Sequence, residues 1–349
     1  MSFSAILINW YLNNKRNLPW RNTRDPYKIW LSEIILQQTR VEQGLPYYQK
    51  FIEKYPTVFN LAKAKQDEVL KLWQGLGYYS RARNLHFTAK EIVKNYKGQF
   101  PNNYQEIRAL KGIGDYTAAA IASFAFDLPY AVVDGNVMRV LSRYLGINEP
   151  IDSTKGKKLF AEAAQELLDK KNPAVHNQAI MEFGAIYCVP VKPNCEYCIF
   201  NSTCEAFRSK KVNELPVKSK KTKIKKRFFH YLIVENKGKT YLQKRAEGDI
   251  WQGLYEFPLI ETDKALDFEE LIKQLESKNF FKNISIELVK TSQDKKHILS
   301  HQHIHARFFH VKVNKLAKLK AYKQISMSEL DKFALPRLIH RYLEEEMIL

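Results

Sequence analysis

Leu110-Lys111-Gly112-Ile113-Gly114-Asp115-Tyr116-Thr117 joins two helical stretches of a 349-residue chain. Two glycines, one residue apart, let the backbone turn tightly and approach a ligand with no Cβ in the way. The amides of such a turn point outward at the start of the next helix, where an anion is favoured. A turn of this kind grips a DNA phosphate without reading sequence. Ordinary helix–helix turns also use such glycine pairs. Its weight here comes from the residues downstream: a helix over 116–126, then Asp134, then a loop that holds every cysteine of the chain.

Those cysteines are Cys188, Cys195, Cys198 and Cys204, spaced C-x6-C-x2-C-x5-C. Four thiolates in one short segment can hold zinc or an iron–sulfur cluster. Zinc sites usually come as two close pairs, and only Cys195 and Cys198 form one. The long first gap and the last step fit a loop wrapped around a cubic [4Fe–4S] cluster better. Two disulfides are the plain alternative, but a basic chain without a signal peptide reads as cytoplasmic, where disulfides are rare.

Lys and Arg number 56 against 37 Asp and Glu, a formal net charge of +19. A field of that sign attracts polyanions, nucleic acid first among them. Residues 1–14 lack the basic head and apolar run of a signal peptide. No stretch approaches the ~18 consecutive apolar residues of a membrane span. A monomer in the cytoplasm, working at the nucleoid, is the expectation.

The organisation reads as multidomain, with an all-α domain over 1–207. Asp25-Pro26 starts one helix, with an acidic cap and proline at the first position. Apolar residues then recur at Trp30, Ile34 and Val41. Further helices are expected over 84–96, 137–144 and 156–169, with Gly146 as a stop. Residues 208–227 hold ten Lys/Arg and a single acid, Glu214, and read as a basic linker lying along a phosphate backbone. From Phe228 the period changes to two. Asn236-Lys237-Gly238 reads as a hairpin turn. Helices over 267–277 and 328–346 and strands over 284–289 and 303–313 complete an α+β domain over 228–349.

The hairpin, Val132-Val133-Asp134-Gly135-Asn136-Val137 and the cysteine loop resemble the helix-hairpin-helix DNA glycosylases of the endonuclease III superfamily. Within it, Leu18-Pro19-Trp20-Arg21, Ser32-Glu33-Ile34-Ile35-Leu36-Gln37-Gln38-Thr39 and Gly75-Leu76-Gly77-Tyr78-Tyr79-Ser80-Arg81-Ala82 resemble the MutY family, the adenine DNA glycosylases. The likeness is dense over about residues 5–210. It continues more thinly at Trp251-Gln252-Gly253-Leu254-Tyr255-Glu256-Phe257-Pro258 and Leu299-Ser300-His301. Lys111 departs from the proline usual in the family's hairpin.

The resemblance implies removal of adenine mispaired with 8-oxoguanine or guanine in double-stranded DNA, with a [4Fe–4S] cofactor on the four cysteines. The residues can be set against that reaction. Adenine leaves readily only if its ring is protonated as the C–N bond breaks, and the sugar then carries oxocarbenium character. One protonated and one ionised carboxyl meet both needs. Glu33 has Ile29, Trp30 and Leu36 as helical neighbours, an apolar setting that should raise its pKa. Asp134 stands in a capping position, where amides and the helix dipole should keep it ionised. Tyr116 occupies the position where the lyase branch has its Schiff-base lysine. A phenol cannot form an imine, so a monofunctional glycosylase is expected.

The family places further residues at the DNA. Gly112 and Gly114 form the hairpin. Tyr78, Gln37 and Gln38 are candidates for the hole and the orphan base. Arg21 and Glu182 are expected to line the adenine pocket, and Trp20, Leu36 and Asn136 to contact the substrate or DNA. The C-terminal domain resembles a nudix fold without an R-E-x-x-E-E run, so recognition is expected there instead of pyrophosphate hydrolysis. Leu299, Ser300 and His301 lie in the family's 8-oxoguanine-reading loop, with leucine where the family usually has phenylalanine. His297, His301, His303 and His305 alternate as metal ligands could, but a DNA contact is preferred. Two rivals remain: an endonuclease III-like glycosylase/lyase, and a non-catalytic iron–sulfur DNA-binding protein.

Overall fold

The structure is a computed structural model that describes residues 2–219, 224–277, 284–316, 319 and 321–348. By its contacts the chain divides into two units: Met1–Lys63 with Asn84–Lys220, and Ala64–Arg83 with Lys221–Leu349. Residues 220–223 of the expected linker lie outside the described residues.

The first unit is helical. Asp25 caps the Pro26–Leu36 helix by accepting from the Tyr27 N–H at 2.9 Å. That helix stops at Leu36; Val41 opens the next helix, Val41–Lys54, and does not extend the first. The small residues Ala118, Ala119, Ala120 and Ala122 of the Asp115–Phe126 helix are buried and let Pro26–Leu36 pack close against it. The hairpin lies between Tyr104–Ala109 and Asp115–Phe126. Gly112 has φ +80°, and a Cβ there would fall 2.7 Å from Asn84 Cβ. Gly114 caps Asp115–Phe126 with extended backbone, and a Cβ there would meet open space. Gly146 ends the Gly135–Leu145 helix in left-handed backbone, as expected.

Much of the expected linker is tied down. Arg143 Nε donates to the carbonyls of Val212 and Leu215, each at 3.1 Å. The Ile151 N–H reaches the Val217 carbonyl, and Asp152 accepts from Ser219. Residues 212–219 therefore belong to the helical unit and are not a loose tether.

The second unit holds strands β1 (Lys225–Glu235), β2 (Lys239–Lys244), β3 (Tyr255–Glu256), β4 (Leu259–Thr262), β5 (Ile286–Thr291), β6 (Lys295–Ile298), β7 (Gln302–Val313) and β8 (Lys323–Ser326). One sheet runs β4-β1-β7-β5, with β6 on β7; a second runs β3-β2-β8. β1 and β7 pair in parallel from Lys225↔Gln302 to Glu235↔Lys312. Phe229, Tyr231 and Ile233 face Leu338, Ile339, Tyr342 and Leu343 of the C-terminal helix. Leu232 and Val234 face Leu271 and Leu275 of the Phe268–Ser277 helix. A sheet covered on both faces accounts for the apolar run in β1.

Two local readings need correction. The Asn236–Lys239 turn forms, with positive φ at Lys237 and Gly238. Its strands then diverge into different sheets, because β1 finds β4 and β7 while β2 finds β3 and β8. The final helix expected over 328–346 is two pieces, a 3-10 turn over Met327–Lys332 and an α-helix over Arg337–Glu345. Pro336 separates them, since the residue before proline is pushed out of helical backbone.

Candidate active site

In the helical unit a cavity of about 410 Å³ opens between the Leu18–Arg21 segment, the end of Pro26–Leu36, the start of Gly135–Leu145 and one face of Pro173–Ile186. Its wall includes Glu33, Tyr116, Asp134, Asn136, Gln37 and Gln38. Trp20, Arg21, Leu36 and Glu182 line it as well. Residues far apart in sequence thus meet at one hole.

Glu33 is 6% exposed. The Tyr116 phenol donates to its Oε2 at 2.7 Å. Burial pushes the Glu33 pKa up to about 7, while the phenol and Arg21 pull it down and Asp134 pushes it up. A carboxyl in that state holds its proton near neutrality and can give it away. Asp134 Oδ1 accepts from the Val137 N–H at 2.7 Å and its Oδ2 from Asn136 Nδ2 at 3.0 Å. These donors solvate a negative charge, as capping predicts. Burial outweighs them in the net shift from 3.8, which is upward, while the Val137 and Asn136 hydrogen bonds pull the other way, toward the ionised form. Of the two acids, Asp134 is still the one whose charged form the backbone is built to receive.

Asn136 is pinned in turn. Its Oδ1 accepts from Arg139 Nη2 at 2.8 Å, and Arg139 Nε donates to the Cys188 carbonyl at 2.8 Å. A chain of polar contacts therefore runs from Asp134 to the first cysteine. Asn177 holds the stretch before Asp134, accepting from the Val132 N–H and donating to the Tyr130 carbonyl.

Arg21 and Glu182 answer each other. Arg21 Nη2 and Arg16 Nη2 each meet Glu182 Oε2 at 2.7 Å. Burial alone would raise the Glu182 pKa, but the hydrogen bonds from the two arginines bring it down to about 2. Trp20 is 6% exposed and packs edge-on to Tyr48, so core packing fixes it. Gln37 Nε2 donates to Thr117 Oγ1, and Gln38 takes φ +54°, an uncommon backbone for a non-glycine residue.

The four cysteines, all half-buried, line one small apolar cavity with Arg143, Phe183, Tyr187 and Phe200. Arg143 Nη1 lies 3.4 Å from Cys188 Sγ, and the Phe200 N–H donates to Cys198 Sγ at 3.4 Å. Four cysteines on one small apolar cavity, with N–H groups 3.4 Å from two of the sulfurs, suit a thiolate-bound group. The four cysteines share this cavity without closing to the spacing of a single-ion site: among the described residues, no three His, Cys, Asp or Glu side chains stand close enough to hold one metal ion. The histidines of the C-terminal unit have other company: His297 packs on Trp251, and His305 stacks on Phe228.

Tyr78 does not line the cavity of Glu33 and Gln37. It belongs to the second unit, where its hydroxyl lies 2.7 Å from Ser300 Oγ. It takes φ +46° between Gly77 and Tyr79 and is 51% exposed. Ser300 and His301 form a two-residue loop closed by the Leu299 N–H on the Gln302 carbonyl at 2.8 Å. Leu299 packs on the core, while Ile298 beside it stands 64% exposed. With Asp249, Ile250 and Trp251 these residues border a second cavity of about 430 Å³.

Residues 31–170 match the HhH-GPD superfamily base excision DNA repair proteins, and residues 230–345 match the NUDIX domain. An adenine DNA glycosylase of Buchnera aphidicola subsp. Baizongia pistaciae (strain Bp) is 36% identical over 319 residues, covering 90% of this chain and 87% of that protein. The chain belongs to the adenine DNA glycosylase family. The Homo sapiens adenine DNA glycosylase is 42% identical over 214 residues, covering 59% of this chain and 39% of its own. A thermostable thymine-DNA glycosylase superposes with TM-score 0.55 at 33% identity, covering 59% of this chain and 95% of that one. Glycosylases named for different bases share this helical fold, so the fold alone does not set the choice of base.

The sequence reading missed part of the cavity wall. Gln178, Met181 and Ala185 line the cavity beside Glu182. Their spacing of three and four puts them on one helix face, a signal that Glu182 alone could have led to. Arg16 was also missed; its side chain and its own N–H both reach Glu182, each at 2.9 Å through Oε1.

Proposed function

We propose that the chain is a monofunctional adenine DNA glycosylase that excises adenine opposite 8-oxoguanine or guanine in duplex DNA. The observation that carries this is the meeting of Glu33, Tyr116 and Asp134 on one cavity. Adenine flipped into that cavity would receive the Glu33 proton on a ring nitrogen as the C–N bond breaks. The bonding pair leaves with the base, and the sugar becomes an oxocarbenium ion. Asp134 opposes that charge, and its Val137 and Asn136 donors hold it in place. Water then adds to C1′, and its proton goes to Glu33, which restores the acid. Tyr116 keeps Glu33 oriented and supplies no amine, so no imine forms and the strand stays intact.

Cys188, Cys195, Cys198 and Cys204 would hold a [4Fe–4S] cluster whose part is to fix the loop. The Asp134–Asn136–Arg139–Cys188 chain gives that loop a reason to be rigid. Ser300 and Tyr78 would meet the base opposite adenine. The enzyme acts as a monomer in the cytoplasm, on DNA drawn in by its net charge of +19.

A duplex with a central A:8-oxoguanine pair tests the reading. Strand cleavage seen only after hot alkali supports it. Cleavage without alkali makes the chain a lyase, and neither outcome makes it a DNA binder without catalysis.

A further inference from the structure

Arg227 of β1 spends all five of its N–H donors inside the second unit. Nε and Nη2 reach Glu261 on β4, each at 2.6 Å. Nη1 and Nη2 reach Asp249 at 2.6 and 2.7 Å. Nη1 also reaches Gln302 Oε1 at 3.1 Å. The side chain is 8% exposed. Asp249 is shared with Arg245 Nη2 at 2.6 Å, and Arg245 Nε donates to the Ile250 carbonyl at 2.9 Å. The Arg227 fork holds the Asp249 pKa down to about 2.

Two partners of Arg227 bear on the cavity that contains Tyr78 and Ser300: Asp249 lines it, and Gln302 adjoins its Ser300–His301 wall. Asp249 begins the Asp249–Ile250–Trp251 wall. Gln302 closes the Ser300–His301 loop through its carbonyl. Trp251 takes φ +60°, a strained backbone for a large residue that needs outside support. One planar guanidinium therefore joins both walls to β1. Lysine could carry the charge but not the fork.

We propose that Arg227 is a positioning residue for recognition of the base opposite adenine: it sets the Ser300 loop against the Asp249–Trp251 wall through Gln302 and Asp249. The proposal rests on the reading that the Ser300 loop meets the oxidised base. Arg227 touches no DNA. Its effect passes through Ser300.

The test is single-turnover excision by the full-length protein on A:8-oxoguanine and A:G duplexes at fixed salt. It compares Arg227→Lys, Gln302→Leu, Ser300→Ala and the double variant Arg227→Lys/Ser300→Ala. Arg227→Lys should cut the preference for 8-oxoguanine over guanine about ten-fold, within the range for one lost base-reading contact. The A:G rate should hold even though the melting temperature falls, because lysine leaves some of the fork's acceptors unpaired. Gln302→Leu, which removes one acceptor of the five, should act in the same direction. In the Ser300→Ala background Arg227→Lys should add nothing, because both act on one contact. If Ser300→Ala keeps the full preference, the reading of the loop is wrong. If Ser300→Ala loses it while Arg227→Lys and Gln302→Leu keep it, the positioning role is wrong. Equal losses on both mispairs would make Arg227 a plain stability residue and overturn the proposal. Should Arg227→Lys not fold, Gln302→Leu decides alone.

Discussion

The Tyr116 hydroxyl and Glu33 Oε2 are 2.7 Å apart, and the phenol lowers the pKa that burial raises. The tyrosine thus tunes the acid. Removing the hydroxyl leaves burial less opposed, so the Glu33 pKa should climb further. Tyr116→Phe should remain a glycosylase and should carry its activity to higher pH. The measurement is the pH profile of single-turnover excision. An unmoved alkaline limb would disconnect the phenol from the acid.

Glu33→Gln keeps the shape of the side chain but holds no transferable proton. Excision should fall by roughly 10² to 10⁴-fold, the usual worth of a general acid. Duplex binding should survive. Asp134→Asn should be slowed on a similar scale, since the oxocarbenium loses its opposing charge. Near-normal rates in either variant would send the assignment elsewhere in the cavity.

Glu33 also sets a pH dependence of stability. Its folded pKa of about 7 lies above its ordinary 4.5. Stability from this group is full below about 4.5 and is lost as pH rises through about 7, because the folded state must then bury a charge. Excision should decline over the same upper limb. Glu33→Gln has no such charge, so it should melt higher than the native chain above pH 7 and lose that advantage in acid. Thermal melts at two pH values check the sign.

The cysteine loop should carry iron. Anaerobically purified protein should be coloured by sulfur-to-iron charge transfer and yield iron and sulfide in equal amounts. Colourless protein with one zinc per chain would replace the cluster. Stripping the metal should loosen the Cys188 carbonyl that Arg139 holds, and excision should fall with the colour.

Removing the residues after Ser219 spares every residue that lines the Glu33 cavity. It strips Ala64–Arg83 of its partners. Asp67 bonds Lys244 and Tyr255, Lys71 bonds Asp331, Gln74 accepts from the Leu335 N–H, and Tyr78 meets Ser300. The shortened chain should still release adenine, no longer favour 8-oxoguanine, and become protease-sensitive within 64–83. Resistance of that segment would give it support from elsewhere.

Local chemistry was legible where the fold obeys local rules. Asp25-Pro26 announces the helix of Glu33, and Asp134-Gly135-Asn136 announces a cap. The apolar neighbours of Glu33 foretold its raised pKa. The upward shift of Asp134 was hidden, because burial depends on which distant helices arrive beside the cap. Asn236-Lys237-Gly238 encodes a turn but not which strands its arms will join. Pro336, by contrast, marks in the sequence itself where the final helix breaks. Arg227 was illegible for another reason: it stands at the end of a lysine-rich run that reads as linker, and Asp249, Glu261 and Gln302 are scattered in sequence until the fold brings them to one fork.

The company kept by Ala64–Arg83 has a consequence in time. Asp67, Lys71, Gln74 and Tyr78 find their partners among residues 244–335. On the ribosome those partners emerge later by up to roughly 260 residues, on the order of tens of seconds at about 5–20 residues per second. β1 must likewise wait for β7. A nascent chain with its helical half already compact would therefore carry one unfinished segment inside it. Nicking, capture by a chaperone and loss of weakened variants should concentrate in that interval, before the last strand and helix are made.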